Sequence, residues 1–402
     1  MKRSGYADLP LHGGRIPRWL AERMSKLGGA IIEAVVLEYG KSEVLTRLSD
    51  PFWFQSLGSV MGMDWHSSGI TTSVMGALKT AINPISKELG IYFCGGRGRH
   101  SRKTPVELIT FASKTGVNGS DLVRSSRLSA KIDNTAIQDG FQLYLHSFIV
   151  SDEGEWAVVQ QGMSNKNGMA RRYHWHSATV KSFVDEPHTF ILGKNQGGIL
   201  NLVAHEAAPT QKGILNISKE KPNQIIPEVK KLLMPRHHNV TEKDVDLKKL
   251  GTVLALSQKQ NIQNFEELLL LEGVGPRTLQ SLTLVSEVIH GTPSRFADPA
   301  RFSFAHGGKD GHPFPVPTKV YDETISVLKT SVEKAKIGEA DKQRALKSLH
   351  KISREMEKNF IPEKKLDELI QHELENSYKY GGKTIFGDAK QPKSNKDQMR
   401  LF

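Results

Sequence analysis

Disulfide chemistry is absent from this chain, because its 402 residues include a single cysteine, Cys94. One thiol cannot close an intramolecular bridge, so the fold must rest on packing, and such sparing use of cysteine fits a reducing compartment. Cys94 itself reads as a core residue. Long hydrophobic runs are missing too. No apolar stretch reaches the roughly 20 residues of a membrane span, and the start MKRSGYADLPLHGG lacks the apolar centre of a signal peptide. A soluble cytoplasmic protein with no membrane partner is expected. Acidic residues are in deficit, with 43 Asp and Glu against 55 Lys and Arg, for a formal charge of +12. That balance favours a polyanionic partner. There is no internal repeat. No Walker A loop is present either, so nucleotide hydrolysis has little support.

What is present reads as an α+β chain of two or three domains. Residues 1–205 form a mixed α/β N-terminal domain, the expected catalytic unit. It opens with a helix after Pro17 and another through Gly29–Tyr39, then amphipathic stretches over 51–62 and 70–82. Ile91-Tyr92-Phe93-Cys94 reads as a short buried strand, and Thr104-Pro105 as a helix start. Residues 142–150 and 156–161 read as two strands of a hairpin turned at Ser151-Asp152-Glu153-Gly154-Glu155. Residues 206–240, with Pro209, Pro222, Pro227 and Pro235, read as a connector. Residues 241–330 form a helical domain, 331–380 a charged helical extension, and 381–402 a disordered tail.

The most informative run is Leu271-Glu272-Gly273-Val274-Gly275-Pro276-Arg277-Thr278-Leu279, set between two apolar helical segments. Gly273 and Gly275 can adopt positive φ, and they carry no Cβ to hold a ligand away. Pro276 fits the first turn of the second helix. The free amides of the turn, Val274 among them, together with the positive end of that helix, form an anion site suited to a phosphodiester. Arg277 and Thr278 can add a charge and a hydroxyl donor. The segment resembles the helix-hairpin-helix motif of DNA repair and recombination proteins. It is not basic: residues 241–291 hold 5 Lys/Arg against 7 Asp/Glu. The grip would therefore use backbone amides here and cationic surface elsewhere, which positions a protein on DNA without reading sequence.

Cationic surface is expected in the window 90–131, with 8 Lys/Arg against 2 Asp/Glu. Arg97, Arg99, Arg102 and Lys103 lie there in a Gly-rich loop. Arg171-Arg172-Tyr173-His174-Trp175-His176 interleaves cations and aromatics, as suits phosphate contact with base stacking. His174 and His176 could also share a strand face toward zinc, although no third ligand stands out.

The catalytic candidates are Asp64, His66, Asp133, Asp139, Gln142, His146 and Gln160. A period of two puts Gln142, Tyr144 and His146 on one face of their strand. Asp64, Asp133 and Asp139 would ligate Mg²⁺ or Mn²⁺, which neutralises phosphate and generates hydroxide in metal-dependent phosphodiesterases. A second option uses Asp298. Base-excision glycosylases with this hairpin place a catalytic Asp beyond it, but Arg277 stands where a lyase would need lysine. Gln398-Met399-Arg400-Leu401-Phe402 resembles the terminal peptide by which bacterial repair proteins dock on the sliding clamp, with Gln398 as latch and Met399, Leu401 and Phe402 as anchors.

Taken whole, the chain resembles a prokaryotic family known chiefly as a conserved domain of unknown function. The marks are residues Gly5–Gly14, Asp64-Trp65-His66, Gln138-Asp139-Gly140, Gln160-Gln161-Gly162-Met163 and His306–Gly311. The resemblance implies DNA transactions and assigns no active site. The expected function is DNA binding with divalent-metal endonuclease activity in DNA repair, in the nucleoid. The alternatives are a non-catalytic DNA-binding accessory factor or, third, a monofunctional glycosylase.

Overall fold

The structure is a computed structural model that describes residues 16–64, 67–164, 168–231, 247–300 and 318–359, with short strands at 383–384 and 387–388. Four helices lead: α1 (Arg18–Tyr39), α2 (Lys41–Ser49), α3 (Pro51–Val60) and α4 (Gly69–Ile82). A single turn, α5 (Ser86–Leu89), then enters strand β1 (Ile91–Arg97). A 3-10 segment (Gly98–Lys103), α6 (Thr104–Thr115) and α7 (Gly119–Lys131) follow, and α7 runs into a π-helical turn (Ile132–Ala136). Next come β2 (Ile137–Gln138), β3 (Gln142–Ser151), β4 (Trp156–Ser164), β5 (Met169–His176), β6 (Phe190–Leu192) and β7 (Gly198–Asn201). The remainder is α8 (Ala208–Lys219), α9 (Pro222–Lys231), α10 (Leu247–Lys259), α11 (Phe265–Leu270), α12 (Pro276–His290), β8 (Phe296–Ala297), α13 (Thr318–Lys334), α14 (Glu339–Asn359), β9 (Lys383–Thr384) and β10 (Gly387–Asp388).

Strands β1, β3, β4, β5 and β6 form one antiparallel sheet in the order β1-β3-β4-β5-β6. Its two faces bury different residues of the same strands. Ile149, Ala157 and Val159 pack with α1–α4 and with Leu328, Val332, Ala345 and Leu349 of α13 and α14. Phe148, Val150, Trp156, Val158 and Trp175 pack with α6, α7, α8 and α10–α12. Each large side chain so buried contributes roughly 1.5–3 kcal/mol. Coverage on both sides explains why β4 is buried almost throughout rather than on alternate residues.

Three expectations change. The two helices expected before residue 40 are one, because Gly28 and Gly29 do not break α1. They let it lie against its neighbours: a Cβ on Gly29 would fall 2.7 Å from the Ala81 Cβ, and one on Gly28 2.7 Å from the Met61 Cε. The expected connector is helical through α8 and α9, with Thr210, Gly213, Ile214 and Ile217 of α8 buried. The helices of the expected C-terminal domain share one continuous core with the sheet. Strand β8, from beyond α12, pairs with β7. The tail peptide at residues 398–402 lies outside the described residues.

Candidate nucleic-acid interface

The turn between α11 and α12 is pinned from within. Leu271 and Val274 are buried, and the Val274 N–H donates to the Leu271 carbonyl at 3.2 Å. Thr278 is buried as well, its hydroxyl donating to the Gly273 carbonyl at 3.3 Å. Neither the Val274 amide nor the Thr278 hydroxyl is therefore free for a ligand, contrary to the sequence reading. Gly273 takes φ +87°, in the left-handed region that favours glycine. Gly275 does not: at φ −137°, ψ −179° it is extended backbone that any residue adopts. A Cβ built on Gly275 meets nothing within 4 Å. Gly275 is also the N-cap of α12 and offers no side-chain cap, and Pro276 occupies the first turn. The first helical amide bond runs from Leu279 N–H to the Gly275 carbonyl at 2.9 Å, leaving the Arg277 and Thr278 amides at an uncapped helix start. Arg277 is exposed beside them.

The turn is held to the sheet domain. Lys131 at the end of α7 donates to the Val274 carbonyl. Gln138 of β2 donates to the Pro276 carbonyl at 2.8 Å. Asn134 of the π-turn accepts from the Leu143 N–H at the start of β3, at 3.3 Å. That end of β3 pairs with the end of β1, Leu145 opposite Arg97. The turn and the 3-10 segment that follows Arg97 therefore occupy the same end of the sheet.

Arg97, Arg99, Arg102 and Lys103 are all exposed. Among the described residues, Arg99, Arg102 and Lys103 make no ion pair. The nearest acidic residue in sequence, Glu107, is turned inward, accepting from Lys79 at 2.8 Å and from the Gly95 N–H at 2.6 Å.

Arg171 and Arg172 are not surface contacts. Both are fully buried, because β5 lies inside the sheet with helices over each face. Arg171 bridges Asp139 (2.7 Å) and Asp298 (2.8 Å), and its guanidinium carbon lies 4.6 Å from the Phe141 ring centroid. Arg172 turns to the opposite face, donating to Gln55 Oε1 (2.9 Å), His174 Nε2 (2.9 Å) and Thr71 Oγ1 (3.2 Å). The expected metal ligands Asp133 and Asp139 lie on one face of β5 but are tied to different donors. Asp139 accepts from Arg171, from the Tyr173 hydroxyl (2.7 Å) and from the Phe141 N–H (3.0 Å). Asp133 accepts from Gln160 (2.6 Å) and Trp175 (3.0 Å) and pairs with His188 (2.5 Å). Burial pushes both carboxyls up, against the pull of Arg171 on Asp139 and of His188 on Asp133. Asp64 is exposed after α3, and His66 lies outside the described residues. Among the described residues no group of three or more His, Cys, Asp or Glu is placed to hold a metal ion. Asp64, Asp133 and Asp139 do not form the expected ligand set.

His146 and Gln160 meet, but inside the core. The Ser126 hydroxyl faces His146 Nε2 at 2.8 Å, and His146 Nδ1 faces Gln160 Oε1 at 2.8 Å. The Gln160 oxygen can only accept, so Nδ1 carries the proton and Nε2 accepts from serine. Burial pushes the His146 pKa down to about 4. His174 is likewise occupied at both nitrogens, by Leu48 O (3.1 Å) and Arg172, and burial holds it neutral. It is not a zinc ligand. Asp298 is buried and accepts from Arg171, the Gln196 N–H (2.8 Å) and the Ala300 N–H (2.9 Å), so it is not poised to activate water.

One sequence rule fails for a local reason. A β-bulge between Leu143 and Leu145 breaks the period of two. Tyr144 consequently reaches Gln161 on the α4 side, while His146 faces α7 and Gln142 is exposed.

The family model described as "Protein of unknown function (DUF763)" matches residues 5–316. The chain belongs to this family. No curated protein and no solved structure matches it. The matched segment takes in the sheet, the 3-10 segment and the turn before α12, so the features described above belong to the part shared with the family. Among the described residues, no helix is long and apolar enough to cross a membrane.

Proposed function

We propose that the protein binds DNA through its phosphate backbone, seating a phosphodiester on the helix-hairpin-helix-like turn at Gly275 and neighbouring phosphates on the cations of residues 97–103. Gly275 carries this reading. Its backbone needs no glycine and its missing Cβ would point into open space, so neither conformation nor packing among the described residues requires the glycine that caps α12. A ligand approaching the Arg277 and Thr278 amides from outside does account for it. Arg99, Arg102 and Lys103, which make no ion pair among the described residues and lie at the same end of the sheet, fit a polyanion long enough to span both places. Such contacts carry no base readout, so the protein acts on DNA irrespective of sequence.

Gel retardation with two unrelated duplexes over a salt series tests the reading. Replacing Arg99, Arg102 and Lys103 together by alanine should lower the slope of log K against log salt by about 2–3. Both duplexes should be affected equally. An unchanged slope, or a loss confined to one sequence, contradicts it. Metal-dependent cleavage is the second reading, and the geometry does not favour it, since Asp133 and Asp139 are each consumed by internal hydrogen bonds. The non-catalytic accessory factor and the nuclease separate when supercoiled plasmid is incubated with Mg²⁺, Mn²⁺ or chelator. Cutting that requires the metal would restore the nuclease.

A further inference from the structure

The two neighbouring arginines of β5 differ in a way that packing alone does not explain. Arg171 has two carboxylates, whereas among the described residues every hydrogen-bond partner of Arg172 is neutral: Gln55, Thr71, His174 and the Pro51 carbonyl. The Phe54 ring, 4.7 Å from its guanidinium carbon, adds only a quadrupole. Enclosing a cation without a counter-charge is costly. Burial brings its pKa down to about 9, which leaves it charged at neutral pH.

The hydrogen bonds that lead away from Arg172 all point one way, and chemistry fixes their direction. Arginine can only donate, so Thr71 Oγ1 accepts from it at 3.2 Å. The Gln161 amide nitrogen donates to the Ser68 carbonyl at 3.0 Å, which orients the amide and turns its oxygen toward Thr71. Thr71 therefore donates to Gln161 Oε1. The second amide hydrogen of Gln161 goes to Tyr144 Oη. Tyr144 ends the chain as an acceptor, and its own proton is committed to no partner among the described residues. Aligned donors polarise one another, so the positive charge of Arg172 is felt at the phenol oxygen. Tyr144 is carried there by the β-bulge, a device that re-aims side chains beside active sites. It is half-buried at the rim next to the 97–103 cations, and the Arg97 guanidinium carbon stands 5.8 Å from its ring centroid.

We infer that Tyr144 is a nucleophile toward phosphodiesters, activated by the Arg172–Thr71–Gln161 donor chain and facing a strand held by Arg97 and its neighbours. The inference rests on the proposed DNA binding for its substrate. In the step, a bond forms between Tyr144 Oη and phosphorus while the bond from phosphorus to a deoxyribose oxygen breaks. The phenolic proton ends on that leaving oxygen, giving a phosphotyrosyl end and a free hydroxyl. Attack by the hydroxyl reverses the step and reseals the strand, and no oxidant, reductant or further reactant is needed. Tyr144 is the catalytic residue; Arg172, Thr71 and Gln161 are positioning residues. Burial raises the phenol while Gln161, Arg97 and Arg172 lower it, with burial the largest influence. The proton is thus present at neutral pH, and the rate should climb as pH rises toward the phenol's range.

Two probes separate this inference from the DNA-binding reading. The first is supercoiled plasmid quenched with detergent, in which the full-length protein should become covalently attached to DNA. The second is the p-nitrophenyl ester of thymidine 5′-phosphate, an activated diester too small to need the DNA grip. It should release nitrophenolate in a burst no larger than one per protein and leave thymidylate on Tyr144, located by peptide mass spectrometry. Tyr144→Phe should abolish both adducts while DNA retardation persists. Thr71→Val, which breaks the chain, should slow the burst about tenfold or more and move its pH profile upward, and Thr71→Ser should restore it. Three outcomes overturn the inference: an adduct that survives Tyr144→Phe, DNA cutting with no adduct, or no burst from protein that retards DNA. If DNA is not retarded but the small diester still labels Tyr144, the nucleophile stands and the grip fails.

Discussion

Gly275→Val separates a glycine kept for the fold from one kept for a ligand. At φ −137°, ψ −179° valine is at home, and its Cβ would have no neighbour within 4 Å. Valine is a poorer N-cap than glycine, but replacing glycine also removes freedom from the unfolded chain, so the two effects oppose and folding stability should change by no more than about 1 kcal/mol. Binding should respond quite differently. An amide–phosphate hydrogen bond needs roughly 2.9 Å between nitrogen and oxygen. A branched side chain at the N-cap of α12 occupies that approach for the Arg277 and Thr278 amides. Loss of one hydrogen bond to a charged group, worth about 1.5–3 kcal/mol, weakens binding about 10- to 100-fold. Fluorescence anisotropy with two unrelated labelled duplexes measures the affinity, and a thermal melt of the same samples measures stability. The reasoning expects a large, equal loss on both duplexes with a Tm shift of no more than a few degrees. Unchanged affinity refutes it, and so does a loss that tracks a fall in Tm.

Three further expectations concern the rest of the molecule. Arg171→Met should destabilise the fold by about 3–5 kcal/mol, read as a lower urea midpoint, because Asp139 and Asp298 would be left as unpaired buried carboxylates; a variant that binds DNA less but unfolds normally would make Arg171 the surface contact it first resembled. For His146, whose folded pKa of about 4 lies below its unfolded value of about 6.5, the unfolded chain takes up the proton first, so this residue's contribution is complete above pH 6.5 and shrinks as pH falls toward 4. Stability relative to His146→Gln should drop by up to about 3 kcal/mol over that window, and a pH-independent difference between the two proteins would contradict the burial argument. Deleting residues 398–402 should abolish co-elution with a bacterial sliding clamp while DNA affinity stays the same, and persistent co-elution would retire that partner.

Much of the fold was legible because its signals are local. Pro51 and Pro105 open helices where a missing amide costs little, and the 151–155 turn joins two strands of matching apolar character. The turn at residues 271–279 could be recognised from its glycines, although only Gly273 takes the positive φ that seemed to be required of both. The arginines of β5 could not be placed from sequence. Their cation–aromatic pattern suits an exposed nucleic-acid surface equally well, and the partners that make burial tolerable lie far away, Asp298 127 positions from Arg171 and Gln55 117 from Arg172. The same distance hid the division of Asp133 and Asp139 into separate networks, each tied to donors on other strands. Tyr144 was misplaced for a different reason. A one-residue bulge reverses the facing of everything before it, and alternation counted along the chain has no means of seeing it.

The central claim is that external phosphate is held at the start of α12, and amide hydrogen exchange of the full chain with and without a mixed-sequence duplex tests it most directly. Protection on DNA addition should appear at residues 272–279 and at 97–103, and to the same extent with a second, unrelated duplex. Saturating DNA that leaves residues 272–279 exchanging at their free rate would contradict the account.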